Sequence, residues 1–191
     1  MSSLLLWSAS PRSRWFCLRA RAGSLFLNSG RMNNAERVRA LRRAGDHEAA
    51  RNLAAELAAS APDDCELQYE AACVHDYLGR EAQAVPFYVA ALAGRLPSEQ
   101  MRSAYLGLGS TYRALGQYPA AADTLREGLT HFPDAAELKT FLAMALHNLG
   151  ESKHAVELLL TVLAETSADE HIRGLREAIA FYAQDIERSW P

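Results

Sequence analysis

The chain has 191 residues, 49% of them apolar and 23% charged, with a formal net charge of −3. That is long enough for one domain with a continuous core, and the balance suits a globular fold. All five basic residues of 1–31 are arginines and no acid accompanies them, so the remainder carries 15 basic and 23 acidic side chains. Such an acidic body argues against nucleic acid as a partner, because phosphate contacts need a basic surface.

Taken in order, residues 1–31 differ in composition from the rest of the chain. Arg12, Arg14, Arg19, Arg21 and Arg31 stand among scattered serines. The segment reads either as an organellar transit-like leader or as upstream sequence ahead of a true start at Met32. Arginine outnumbers lysine by 18 to 2 and alanine is abundant, as in a GC-rich bacterial genome. On both readings 1–31 is a basic, disordered leader and the folded domain spans 32–188. The leader's longest apolar run, Leu4 to Trp7, is too short for a secretory core or a membrane span. No membrane association is expected, and the expected location is the cytoplasm.

From Asn33 the apolar residues recur at three- and four-residue steps, and they predict helices over 33–44, 47–60, 64–78, 81–93, 98–115, 118–131, 134–149 and 152–166. Asp64, Ser98, Asp134 and Ser152 are read as amino-terminal caps. The clearest pair covers 105–133. Tyr105, Leu108, Tyr112 and Leu115 form one stripe, and Gly109 lies inside it, where a helix loses about 1 kcal/mol relative to alanine. A second helix pressed against the missing side chain accounts for that glycine. Gly116 ends the helix, Pro119 opens the next and Pro133 stops it.

The same punctuation returns along the chain. Gly45, Gly79, Gly116 and Gly150 are 34, 37 and 34 residues apart, which is a repeat period. Five residues after each stands an alanine: Ala50, Ala84, Ala121 and Ala155. Seven before the last three stands a small residue: Ala72, Gly109 and Ala143. Pro62, Pro97 and Pro133 close the first three units, and Ser167 takes that place in the fourth. Beyond them Ile172, Leu175, Ile179, Tyr182 and Ile186 form a stripe over 168–188, read as a helix that covers the last hairpin. A repeat stack needs such a cap to stay soluble.

This pattern resembles the tetratricopeptide repeat, a 34-residue pair of helices with small residues at fixed places and a proline near its end. The units fall at about 31–64, 65–101, 102–135 and 136–169. Unit one departs most, with Val38 where a small residue belongs and Ala54 where a large one is usual. The stretch from Tyr69 to Asp185, including LLLTVLAETSAD, is also similar to a group of short bacterial tetratricopeptide proteins regarded as interaction modules and dimers. The resemblance implies an all-α, right-handed superhelical stack of about four hairpins plus a C-terminal capping helix.

It also implies a concave face lined by the first helix of each unit. In the family's register the lining residues are Arg39, Arg42 and Arg43, then Glu66, Tyr69, Glu70, Cys73, Asp76 and Tyr77, then Leu106, Ser110 and Arg113, then Thr140, Phe141, Met144, His147 and Asn148. A face that is basic, then acidic and tyrosine-bearing, then apolar suits a peptide or helix of a protein partner. The family's carboxylate clamp for chaperone tails is not matched, because its places hold Ala35, Arg39, Glu70, Ser103 and Gly107, and Glu70 would repel a carboxylate. The alternative is a homodimeric structural or assembly protein whose groove or C-terminal helix mediates self-association, with Phe181 and Trp190, which lie off the C-terminal stripe, as contacts.

Catalysis finds little support in the sequence. Metal-protease, phosphate-loop, nucleophile-elbow and dinucleotide motifs do not occur. Cys73 and His75 are two residues apart on a helix and point roughly opposite ways. Cys65 and Cys73 are about 12 Å apart along the axis, too far for a disulfide or a shared ion. They are read as structural thiols in a reducing compartment, with no metal, no cofactor and no enzymatic activity expected.

Overall fold

The computed structural model describes residues 32–189. The leader and Trp190 lie outside the described residues. Every regular element among the described residues is helical: α1 (Asn34–Arg43), α2 (His47–Ser60), α3 (Cys65–Tyr77), α4 (Glu81–Ala93), α5 (Ser98–Ala114), α6 (Tyr118–His131), α7 (Ala136–Asn148), α8 (Ser152–Thr166), α9 (Glu170–Gly174) and α10 (Arg176–Tyr182).

The repeat is built at its loops. Gly45, Gly79, Gly116 and Gly150 take φ of +84°, +68°, +75° and +88°. In that left-handed conformation a side chain is strained, and glycine is not. Each loop then closes the same way: the amide after the glycine donates to a carbonyl five residues back, Asp46 to Leu41, Arg80 to His75, Gln117 to Tyr112 and Glu151 to Leu146, at 2.9 to 3.1 Å. This pairing satisfies carbonyls that the helix end would leave bare.

The chain divides into two compact units, one running to Gly107 and the other from Leu108, with the boundary inside α5. In the first, α1 packs on α2 and α3, and α3 on α4. Its core joins Ala35, Val38, Ala50, Ala54, Leu67, Ala71 and Val74, all essentially without exposure. Val38 and Ala54 therefore sit in one cluster, where a larger residue at one place is offset by a smaller residue at the other, so the packing volume is kept. Gly107 gives room to the buried Tyr88 ring, whose atoms would lie 2.5 Å from an added Cβ.

In the second unit α7 packs on α6 and α8, and α10 on α8. Ala121, Leu125, Leu138, Leu142, Ala143, Leu146 and Ala155 are buried. Gly109 does what its place in the stripe predicts: a Cβ there would meet the Leu125 side chain at 2.5 Å.

Four expectations are corrected. The C-terminal cap is two short helices, because Leu175 (φ −104°, ψ 7°) interrupts the helix directly after Gly174. The break turns the stripe apart: Ile172 and Ile179 are half-buried and Ala183 is buried, while Leu175, Tyr182 and Ile186 are exposed. Asp134 does not cap α7, whose cap position is Ala135 without a side-chain bond. Ser152 lies inside α8, where its Oγ meets His147 Nδ1 at 3.0 Å, and Ser98 is the first residue of α5. Asp64 caps α3 as expected, accepting from the Leu67 amide at 3.0 Å.

Candidate functional site: the first-helix faces of the two units

In the first unit α1 and α3 bring Arg39, Arg42, Glu66 and Glu70 into one ionic cluster. Glu70 is buried and receives Arg39 Nε at 2.5 Å, Arg42 Nε at 3.0 Å and Arg42 Nη2 at 2.8 Å. Arg39 Nη2 reaches Glu66 at 3.5 Å, and Gln100 Nε2 donates to the same Glu66 oxygen at 3.0 Å. A buried carboxylate needs such partners, because desolvation would otherwise neutralise it. The basic and acidic stretches of the sequence thus cancel each other instead of facing outward as two charged patches. Of the predicted lining residues only Arg43 extends fully into solvent here.

The remaining side chains of α3 divide between core and surface. Cys73 and Asp76 are buried, and the Tyr88 hydroxyl donates to Asp76 Oδ2 at 3.3 Å, so neither Cys73 nor Asp76 presents its side chain to a partner. Tyr69 is half-buried, and its phenol is pushed well above the usual range by burial first and the neighbouring Cys73 thiol second. Tyr77 stacks on His47 with ring centroids 3.7 Å apart. Leu106, also in this unit, is half-buried.

In the second unit Ser110 and Arg113 on α5 and Thr140, Phe141 and Met144 on α7 are all half-buried, while His147 and Asn148 are exposed at the end of α7. The core stripe of α7 is Leu138, Leu142, Ala145 and Leu146. Phe141 and Met144 lie off that stripe, one turn apart on α7, and remain partly accessible. Arg113 Nη2 lies 3.4 Å from Met144 Sδ, and its Nε is buried without a hydrogen-bond partner.

The spacing, loops and buried alanines coincide with a match found by sequence comparison: a family model described as Tetratrico peptide repeat covers residues 65–186. The chain belongs to the tetratricopeptide repeat family. Comparison with curated proteins gave no match. Members of this family are in general protein-interaction modules without catalytic activity. The tetratricopeptide match begins at α3, yet the α1–α2 hairpin before it closes on Gly45 with the same turn.

At the family's clamp places Ala35 and Gly107 are buried and Ser103 is exposed, so none of the three offers a cation. Glu70 is neutralised by two arginines and repels nothing; the mismatch rests on the missing donors. Sequence reasoning missed this clasp, although Arg42 and Glu70 stand 28 residues apart, opposite charges on successive first helices. Among the described residues no three His, Cys, Asp or Glu side chains converge as metal ligands do. Neither Cys65 nor Cys73 is in a disulfide, and Cys65 Sγ donates to the Arg95 carbonyl at 3.2 Å. No helix among the described residues is long and apolar enough to cross a membrane.

Proposed function

We propose that this tetratricopeptide protein is a non-catalytic module that binds a peptide or helix of a partner protein along its first helices, in the groove the family uses. The observation that carries the reading is the pair Phe141 and Met144, large apolar side chains left partly accessible on α7 beside its buried stripe. An anchor for a partner's apolar side chain takes this form. The ionic cluster on α1 and α3 is internally balanced, so it shapes the face more than it attracts charge.

A second reading has its own observation. Val156, Leu159 and Leu163 are exposed at three- and four-residue steps along α8, and Leu175, Phe181, Tyr182 and Ile186 are exposed after it. This surface suits self-association into a homodimer. One experiment separates the two: purified wild-type protein, a Phe141→Ser/Met144→Ser variant and a Val156→Ser/Leu159→Ser variant are compared by light scattering and by capture of a partner, which is then rebound as a pure protein. Partner loss only in the α7 variant supports the groove reading. A dimer that dissociates only in the α8 variant, with no partner bound by any form, transfers the function to self-assembly.

A further inference from the structure

The repeat makes Arg113 a counterpart of Arg42. Each stands three residues before its loop glycine, Gly45 or Gly116, on a first helix. Twenty-eight residues on, nine before the next unit's loop glycine, Arg42 finds Glu70, whereas the matching place for Arg113 holds Phe141. Arg42 uses Nε and Nη2 together on that carboxylate, at 3.0 and 2.8 Å. The same edge of Arg113 meets no carboxylate: Nε is buried without an acceptor, and Nη2 has only the Met144 thioether at 3.4 Å, a weak acceptor.

The other cations of these faces are otherwise accounted for. Arg39 and Arg42 serve Glu70, Lys139 binds Glu165 at 2.8 Å, and Arg43 is solvated. Arg113 is half-buried, always charged, and holds its two-pronged edge toward no carboxylate. A planar fork of this kind is filled best by a carboxylate gripped through both N–H groups. Resting on the groove reading above, we infer that Arg113 is a recognition residue for an acidic side chain inside the partner segment, an Asp or Glu that replaces the Met144 sulfur while a neighbouring apolar residue settles on Phe141. The partner brings the carboxylate that Glu70 supplies internally in the first unit. A single guanidinium beside the Met144 thioether fits one internal acid; capture of a chain terminus draws on several converging donors.

The test is selection of random dodecapeptides, displayed with both ends blocked by flanking sequence, on the full chain, followed by fluorescence anisotropy with synthetic versions. The expected binders carry an acid at a fixed place beside an apolar residue. Arg113→Gln and the acid-to-amide change in the peptide should each weaken binding roughly tenfold or more, and together no further. Arg113→Lys should recover only part, since it restores charge without the fork. Phe141→Glu should install the internal acid, abolishing binding while raising the denaturation midpoint, which separates loss of recognition from loss of fold. Binders that need no acid and ignore Arg113→Gln, yet vanish with Phe141→Ala, overturn this inference and leave the groove reading standing. Binding only through a free peptide terminus, detected with unblocked peptides, also overturns it. Absence of any binder, or binders indifferent to both residues, overturns both.

Discussion

Glu70 is a carboxylate with 1% of its side chain exposed, held by Arg39 and Arg42, whose own side chains are 22% and 12% exposed. Replacing it by the isosteric amide leaves two poorly hydrated guanidinium groups around a neutral side chain, and removal of one partner is the damaging way to break a buried pair. Glu70→Gln should lower stability by about 2–4 kcal/mol, read from urea midpoints at constant slope. Two glycines give a contrasting pair. Gly109→Ala gains helix propensity but drives a methyl into Leu125 at 2.5 Å, so a net loss of about 1–2 kcal/mol is expected. At Gly174 an added Cβ meets nothing within 4 Å, and Gly174→Ala should stabilise by about 0.5–1 kcal/mol. Equal effects of the two substitutions would refute the close α5–α6 approach as the reason for Gly109.

At the scale of the helices, α2, α3 and α4 enclose two histidines. His75 is buried, stacks on Phe87 at 5.1 Å and has an unpartnered Nδ1; burial first, then Arg80 and Arg51, hold its pKa below the usual value, with Glu48 opposing. His47 is lowered in the same direction by burial and then Arg42, against Asp46. A lowered folded-state pKa means that the unfolded chain takes up the proton first, so stability is full above about pH 6.5 and falls as pH drops from there toward the lowered values. Urea midpoints should decline below that pH, and His75→Gln should flatten the decline; an unchanged slope would show that His75 is already charged when folded. The pairing of these helices was legible in the sequence because Gly45, Gly79, Gly116 and Gly150 sit where only a positive φ closes the turn, and Ala50, Ala84, Ala121 and Ala155 sit where helices touch. The cap was not, since Ile172, Leu175, Ile179, Tyr182 and Ile186 keep helical spacing straight through the interruption at Leu175. The side-chain bond from Arg176 Nε to the Ala164 carbonyl, 2.9 Å, helps anchor α10 afresh on α8. The face residues were legible as positions but not as states: nothing local to Glu70, Cys73 or Asp76 announces burial, because what covers or neutralises them comes from helices a repeat away.

Across the whole molecule the helices contact mainly their sequence neighbours, as in α1 on α2 and α3, or α7 on α6 and α8. Stability in such a stack is roughly a sum of hairpin terms and nearest-neighbour interfaces, so damage should stay local in the folded state. Glu70→Gln removes most of the ionic link between α3 and α1, leaving Arg39 to Glu66, and among the described residues α1 packs mainly on α2 and α3. Amide exchange followed by mass spectrometry should therefore accelerate in 34–60 well before the wild type exchanges there, while 136–166 keeps its protection. The acidic recognition proposed at Arg113 depends on residues of α5 and α7 alone, so the same variant should bind a selected peptide with unchanged affinity even as its first hairpin frays. If exchange instead rises equally in every helix, the chain opens as one cooperative block, and a substitution at Glu70 would then weaken peptide binding through the fold as a whole.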